Sequence, residues 1–570
     1  MEERRLLIAV ALSLLVLTGY QMLFAPPPKP SPAPAAAASG GPGSVASPPS
    51  AAPGGAGPSA PPTVAPVASP TAAPSVAAVG DEKERRVEAN GSDLSIVFTN
   101  RGARLLSWKL LHFGDARGKP EEMVPAVREG PRPLEIETGR ADVDARLREA
   151  LFRPSTEQLN LGEKGGELRF DYADADLQAA KIVRLPARGY LVEVQAWVKS
   201  GGQSLPARVV WGPGVGNASP EEKEVQGYQP PQAVFRLGGR VERVPAAKIG
   251  GPRVVTGAEW LGVESTHFAA LWVPAAGEAA AEVRAVPLPP GEDGKPHVAP
   301  LAVVGAGSAE RPSLLYVGPK DYQALAAIDH GLKDVVPVGE WIGPIVVPLM
   351  GVLRWAHSKV GNYGGAIVLL TVLINLVMAP LRHFSIANGL KMAKMSPEMR
   401  VIQERYRKVP LMDPRRQDMQ QEMTELYERH GLSMGTQMMV GCLPLLLTMP
   451  FLIAFYRVLQ VSIELRGAPF LWIADLSRKD PYFVMPVLMG LSMFLMQKMM
   501  PSAMDPAQQR IMMIMPAALS FMFLWAPAGL NLYWLASNVC SIVQQGVTMR
   551  ILGPEARKAR AGGDRREKKK

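Results

Sequence analysis

Five apolar runs beyond residue 360 limit this chain's fold more than any other feature: Gly364–Leu381, Met438–Leu459, Tyr482–Met496, Ile511–Trp525 and Gly529–Thr548. A bilayer's hydrocarbon core takes about 20 residues of helix, so these are candidate spans; two are short, and their ends are loosely set. In lipid every backbone N–H and C=O must be satisfied within the segment or a closed barrel, which makes helices the expected form. A sixth run, Leu6–Phe24, follows Arg4 and Arg5. Leu23 fills the place where signal peptidase wants a small residue, and Pro26–Pro28 follow at once, so an uncleaved anchor (1–25) is expected.

Charge gives the orientation. The formal net charge is +10, and its excess sits beside the apolar runs rather than across a soluble surface. Ten Lys and Arg fall in Arg382–Gly435 and nine in Arg550–Lys570, against three in Val461–Pro481. Basic loops stay in the cytoplasm, and counting spans from a cytoplasmic start gives the same answer. Both termini are expected inside, and the region between the first two spans outside.

That outside region has two textures. Residues 26–80 are almost wholly Pro, Ala, Ser and Gly, a linker composition that cannot bury a core. From 81 to 335 strand-like alternation appears, as in Leu94–Thr99, Glu167–Tyr172 and Tyr190–Val198, punctuated by Gly and Pro, which predicts a β-sandwich. It carries no phosphate loop, nucleophile elbow or metal-ligand spacing, and Asp174 with Asp176 reads as a solvated turn. Cys442 and Cys540 support neither a disulfide framework nor a zinc site, so no cofactor is expected. Residues 336–358 hold an apolar stretch broken by Pro344 and Pro348 and bounded by Trp341 and Trp355, which suits an interfacial helix.

The spans contain no Asp or Glu and one arginine, Arg457. Proton-coupled transporters keep ionisable groups there, so a transporter or channel is the weaker alternative; inverted repeats would favour it, and none is found. A sugar-binding role for the β domain would rest on fold analogy alone. The spans do hold uncharged polar residues: Thr371 and Asn375 at i and i+4, Thr448, Ser520, Asn531, Ser537, Asn538, Gln544 and Gln545. Interhelical hydrogen bonding accounts for any one of them; a wetted cavity accounts for the set. Between the first two of the five runs, Phe384–Lys408 and Arg415–His430 are charged and helix-favouring, with Pro410 and Pro414 between them, predicting a cytoplasmic helical hairpin within 382–435.

Several stretches carry a family resemblance: Gly318-Pro319-Lys320, Asn388–Arg400, Gly441–Pro450, Gln497-Lys498-Met499 and Phe523–Asn538. With the order of anchor, external β domain, five spans and basic tail, the chain resembles the YidC membrane-protein insertase family over nearly its whole length except the Pro/Ala linker. The resemblance implies a multi-domain, multi-pass protein of the bacterial inner membrane: a periplasmic β-sandwich, an α-helical insertase core of five spans over 359–550, and a basic cytoplasmic tail, 551–570. It further implies a hydrophilic groove open to cytoplasm and lipid and closed outside. Family members insert nascent membrane proteins alone or beside the Sec translocon, without nucleotide hydrolysis or a small-molecule substrate.

On that pattern Thr371 matches a polar groove position, and Trp534, beside Tyr533, stands where an aromatic residue meets substrate. Asn375 departs from it: bacterial members usually carry an arginine five residues before the proline corresponding to Pro380. Arg457 either compensates for that charge or snorkels to water. Of the 27 methionines, 24 lie between Trp341 and Met549. Met392, Met395, Met399, Met419 and Met423 on the hairpin offer either ordinary packing or a soft surface for substrate capture. Arg565, Arg566, Lys568, Lys569 and Lys570 are either a topology signal or a contact for ribosomal RNA or anionic lipid.

Overall fold

Alternation governs the first half of the chain. Along Arg86–Asn90 the side chains of Val87 and Ala89 are buried while their neighbours are exposed, as a pleated strand with one wet face requires. Leu168 and Phe170 repeat that period in Gly166–Ala173. The computed structural model describes residues 78–567, except 116–117, 127–129, 224–227, 276–280, 290–296, 309, 407–408, 411–412, 431–448 and 500–505; side chains are in addition not described at 221, 393, 394, 396, 400, 416, 506–512 and 552–567. The expected anchor Leu6–Phe24, the linker to residue 77, Cys442, Thr448, Lys568, Lys569 and Lys570 lie outside the described residues, as do the side chains of Arg565 and Arg566.

Among the described residues the strands form one ten-stranded and two five-stranded sheets, and inward side chains from all three meet in one core. Trp108 and Trp211, from the two smaller sheets, meet edge to face with ring centroids 6.0 Å apart. Phe98 meets Phe170 of the large sheet at 5.6 Å. Such aromatic pairs add about 0.5–1.5 kcal/mol beyond their buried area.

Trp260–Glu264 and Phe268–Val273, in the middle of the large sheet, are buried at every residue. Their alternate faces have different partners. Leu261, Val263, Ala270 and Trp272 point into the β core, whereas Trp260, Ala269, Leu271 and Val273 pack with Tyr316, Leu325, Val335, Ile342 and Val346. A sheet covered on both sides reads as a near-continuous apolar run. Gly262 leaves no room for a side chain, since a Cβ there would come within 1.9 Å of the Ala270 carbonyl oxygen.

Charged groups complete the junction with the helical half. Lys320 Nζ, buried, lies 3.1 Å from Glu264, which also accepts from Arg243 at 2.7 Å; burial pushes the Lys320 ammonium below its usual range, with Glu264 opposing. Arg354 reaches both Asp321 and Glu464 at 2.6 Å. Arg466 lies 2.8 Å from Glu121 and 2.6 Å from Glu222. The Gly318-Pro319-Lys320 stretch is thus a structural corner: Gly318 sits against the Tyr190 ring, and Tyr316 Oη donates to the Pro319 carbonyl at 2.6 Å.

The helices of the C-terminal half, numbered in chain order, are α1 (Gly343–Val360), α2 (Tyr363–Arg405), α3 (Arg415–Arg429), α4 (Met449–Val461), α5 (Val484–Met499), α6 (Pro506–Met522) and α7 (Ala528–Glu567). Along α1, Val346, Leu349, Met350, Leu353 and Ala356 are buried, a helical stripe, while Trp341 and Trp355 are exposed. Gly361 ends the helix in the left-handed conformation at φ 73°. Asn362 then caps α2 by accepting from the Gly365 N–H at 3.0 Å. α2 is 43 residues long and passes Pro380 and residue 382 without a break, so the run Gly364–Leu381 and the first hairpin arm are one rod of about 65 Å. Among the described residues, Tyr363–Met392 is the one helical stretch long and apolar enough to cross a bilayer; Met449–Val461, Val484–Met499 and Met513–Trp525 are apolar but shorter.

Candidate functional site

The helical half is apolar outside and carries a set of buried polar side chains within an otherwise apolar interior. Val377 is 71% exposed, Leu491 62%, Ile514 68% and Val543 60%, whereas Thr371, Asn375, Asn531, Asn538, Gln545 and Thr548 are all buried. A water-soluble bundle instead covers its outside with charged and polar residues.

The polar residues form a seam between α2, α5 and α7. On α2, Thr371 Oγ1 donates to the Ile367 carbonyl at 2.7 Å and Asn375 Nδ2 to the Thr371 carbonyl at 2.8 Å. Such back-bonding within the helix satisfies donors that lipid would leave bare. Asn375 Oδ1 accepts at 2.6 Å from Nη1 of Arg382, and the same nitrogen donates at 2.5 Å to Ser541 Oγ on α7. Ser541 Oγ itself donates to the Ser537 carbonyl at 2.7 Å, and Gln544 Nε2 donates to the Ala379 carbonyl at 2.6 Å. Further along α7, Asn538 Nδ2 donates to Ser492 Oγ on α5 at 2.9 Å. Ser520 Oγ of α6 donates to the Pro486 carbonyl of α5 at 2.7 Å.

Not every polar atom in the seam is used. Among the described residues, Asn531 Oδ1, Gln545 Nε2 and Asn388 Nδ2 are buried without a partner. Left dry, each would cost about 1–3 kcal/mol.

Aromatic rings close the other side of α7. Tyr533 stacks on Phe455 of α4 with centroids 4.0 Å apart, and Trp534, half-buried, meets Phe523 edge-on at 4.8 Å. Of the residues singled out from sequence, Thr371, Asn375, Ser537 and Asn538 therefore belong to the seam. Ser520 ties α6 to its edge, and Tyr533 and Trp534 flank it. Thr448 lies outside the described residues. Arg457, half-buried on α4, makes no hydrogen bond or ion pair to a described residue; the guanidinium at Asn375 belongs to Arg382. In the sequence Arg382 reads as one of the basic residues of the cytoplasmic segment, and Ser492 and Ser541 do not stand out. The signal that finds Arg382 is its seven-residue spacing from Asn375, which puts both on one helix face.

The hairpin methionines lie in the joint between its arms. Met395 and Met399 are buried with Ile402, Leu426 and Tyr427, and Met392, Met419 and Met423 pack partly buried against them. Arg405 braces the arms from outside, 2.8 Å from Glu422.

A β-rich domain followed by helices with an apolar exterior and polar side chains buried between them defines an integral membrane protein. Residues 86–352 match the family described as YidC periplasmic domain, and residues 355–555 the family described as 60Kd inner membrane protein. A membrane protein insertase YidC from Geobacter metallireducens is 33% identical over 573 residues, covering 97% of this chain and 100% of the relative. One from Aeromonas hydrophila is 42% identical over 299 residues, covering 51% of this chain and 52% of the relative. A solved active YidC insertase, with its first transmembrane domain resolved, covers 83% of this chain and 93% of its own at 17% identity and a TM-score of 0.34. The chain belongs to the YidC membrane protein insertase family.

Proposed function

We propose that this chain inserts nascent membrane proteins into the inner membrane through the seam between α2, α5 and α7, acting as a one-sided recess open to cytoplasm and lipid. The observation that carries this reading is the placing of the polar groups: hydrogen-bonding side chains gathered between helices whose outside is apolar. In a five-span core, α2 and α4–α7 cross the membrane, α2 and α3 project into the cytoplasm, both termini lie inside, and the periplasmic domain faces out.

The energetics need no nucleotide, metal or other cofactor. A dozen Leu, Ile, Phe or Val residues entering lipid release about 4–7 kcal/mol, while one Asp, Lys or Arg at the bilayer centre costs about 2.5–3.5 kcal/mol. The net sign favours insertion of an apolar segment, and the obstacle is the passage of its polar flank. Groups such as Gln545 Nε2 and Asn531 Oδ1 would solvate that flank partway, lowering the barrier, and the substrate would leave sideways between helices. Lipid and nascent chains are the partners this mechanism requires. The Sec translocon and the ribosome, the latter through Arg565, Arg566, Lys568, Lys569 and Lys570, are further partners it accommodates, and the hairpin methionines are candidate first contacts.

The test is reconstitution of the full chain in liposomes with a single-span substrate. Insertion is read as a protease-protected external tail. Protection above that of empty liposomes supports the reading; protection equal to empty liposomes overturns it.

A further inference from the structure

The stretch between α4 and α5, residues 462–480, is tied to three helices and to the β domain. The first N–H groups of a helix have no partner inside it. Those of Ala528 and Gly529, which open α7, donate to the Arg478 and Leu476 carbonyls at 2.6 and 2.9 Å. Asn362 Nδ2, at the cap of α2, donates to the Pro469 carbonyl at 2.8 Å. A Cβ at Gly364 would collide with the Phe470 ring, so that ring rests directly on the first turn of α2.

This anchoring holds Leu476 at the end of the seam. Leu476 is fully buried and shares an apolar cluster with Ile473, Ala366, Ile367 and Leu530. A Cβ on Gly529 would lie 3.5 Å from Ile367 Cδ1 and 3.7 Å from Leu476 Cβ, so α2, the start of α7 and Leu476 converge there. Thr371 Oγ1 bonds the carbonyl of the same Ile367. The apolar contact therefore lies one turn beyond Thr371, on the side away from the cytoplasmic hairpin.

Charge from the β domain grips the stretch from its other side. Arg466, with its side chain 6% exposed, reaches Glu121 at 2.8 Å and Glu222 at 2.6 Å, and donates to the Gly114 carbonyl at 3.0 Å. All three acceptors belong to the β domain. Arg354 of α1 makes a second tie, holding Asp321 of the β domain and Glu464 of the stretch, both at 2.6 Å. A guanidinium fork fixes its carboxylates in set directions, and a buried one cannot release a partner without leaving a charge unpaired. We propose that the β domain latches the outer end of the recess shut: residues 462–480 are the stopper, Leu476 is its tip, and Glu121 and Glu222 are the catch. The proposal rests on the insertase reading above. It gives the external domain a task of its own, keeping outside water from a recess that is wetted from the cytoplasm.

The experiment uses the full chain with Ser537→Cys as reporter in a Cys442→Ser, Cys540→Ser background, in sealed vesicles. A membrane-impermeant maleimide is applied to either face, and the labelling rates from the two faces are compared. Leu476→Ala leaves the charges in place, and Arg466→Met leaves Leu476 in place. Each is expected to raise the outer-face rate at least ~tenfold, a small part of what an unpaired buried charge contributes to local opening, with the cytoplasmic-face rate unchanged. Adding Glu121→Gln and Glu222→Gln to Arg466→Met is expected to bring the outer-face rate most of the way back, because no unpaired charge is then left at the catch. An outer-face rate raised by Leu476→Ala but not by Arg466→Met overturns the β domain's part, and one raised by neither overturns the stopper as well. Faster labelling from both faces together marks general loosening and counts against the latch. A reporter that is unlabelled from the cytoplasmic face in otherwise unaltered protein sinks the recess itself, which is a different result.

Discussion

Single residues in the β domain carry sharp electrostatic signatures. Burial opposes ionisation of Asp174, but the N–H groups of Asp176 and Leu177, the Tyr172 hydroxyl and Arg146 outweigh it and hold the carboxyl down at about 2, from 3.8. A folded-state value below the unfolded one gives stability that is present above pH 3.8 and lost as the pH falls toward 2. Asp174→Asn should therefore be less stable than wild type at neutral pH, with the difference closing across that window; thermal unfolding at stepped pH measures it. Asp480, in the loop ahead of α5 and outside the β domain, is fixed by hydrogen bonds. Buried there, it accepts from the Tyr482 N–H at 3.1 Å, the Met485 N–H at 2.7 Å and Trp472 Nε1 at 3.1 Å. Asp480→Ala should destabilise by about 0.5–2 kcal/mol, read as a lower melting temperature in detergent.

Between elements, the seam separates stability from function. Hydrogen bonds between membrane helices contribute only about 0.6 kcal/mol on average, so Asn538→Leu, which removes the bond to Ser492, should leave the melting temperature nearly unchanged while slowing insertion. Equal losses of both would make Asn538 a structural tie alone. The order of elements was legible because period-two alternation and long apolar runs are different signals. The course of α2 was less so: Pro380 and the onset of charge at Arg382 look like a boundary, yet a proline removes one backbone hydrogen bond, and packing of α2 against its neighbours carries the helix through. Arg382 and Ser541 are 159 residues apart, and no local pattern announces such a pairing. Thr371 and Asn375 were readable because both fall on one turn.

At the scale of the whole molecule, the β domain and the helical half are keyed by buried charge. Arg466, in the stretch between α4 and α5, sits between Glu121 and Glu222 with its guanidinium 5.1 Å over the Phe268 ring. Removing one partner of a buried pair costs about 3–5 kcal/mol, because the remaining charges stay buried. Arg466→Met should expose 462–480 to protease, and adding Glu121→Gln and Glu222→Gln should restore much of the protection. The central claim, however, is that polar residues between α2, α5 and α7 make a recess wetted from one side. Its most direct test labels Asn375→Cys and Ser537→Cys, each in a Cys442→Ser, Cys540→Ser background, with a membrane-impermeant maleimide applied to either face of sealed vesicles. Labelling from the cytoplasmic face alone is the predicted result; no labelling, or labelling from both faces, contradicts it.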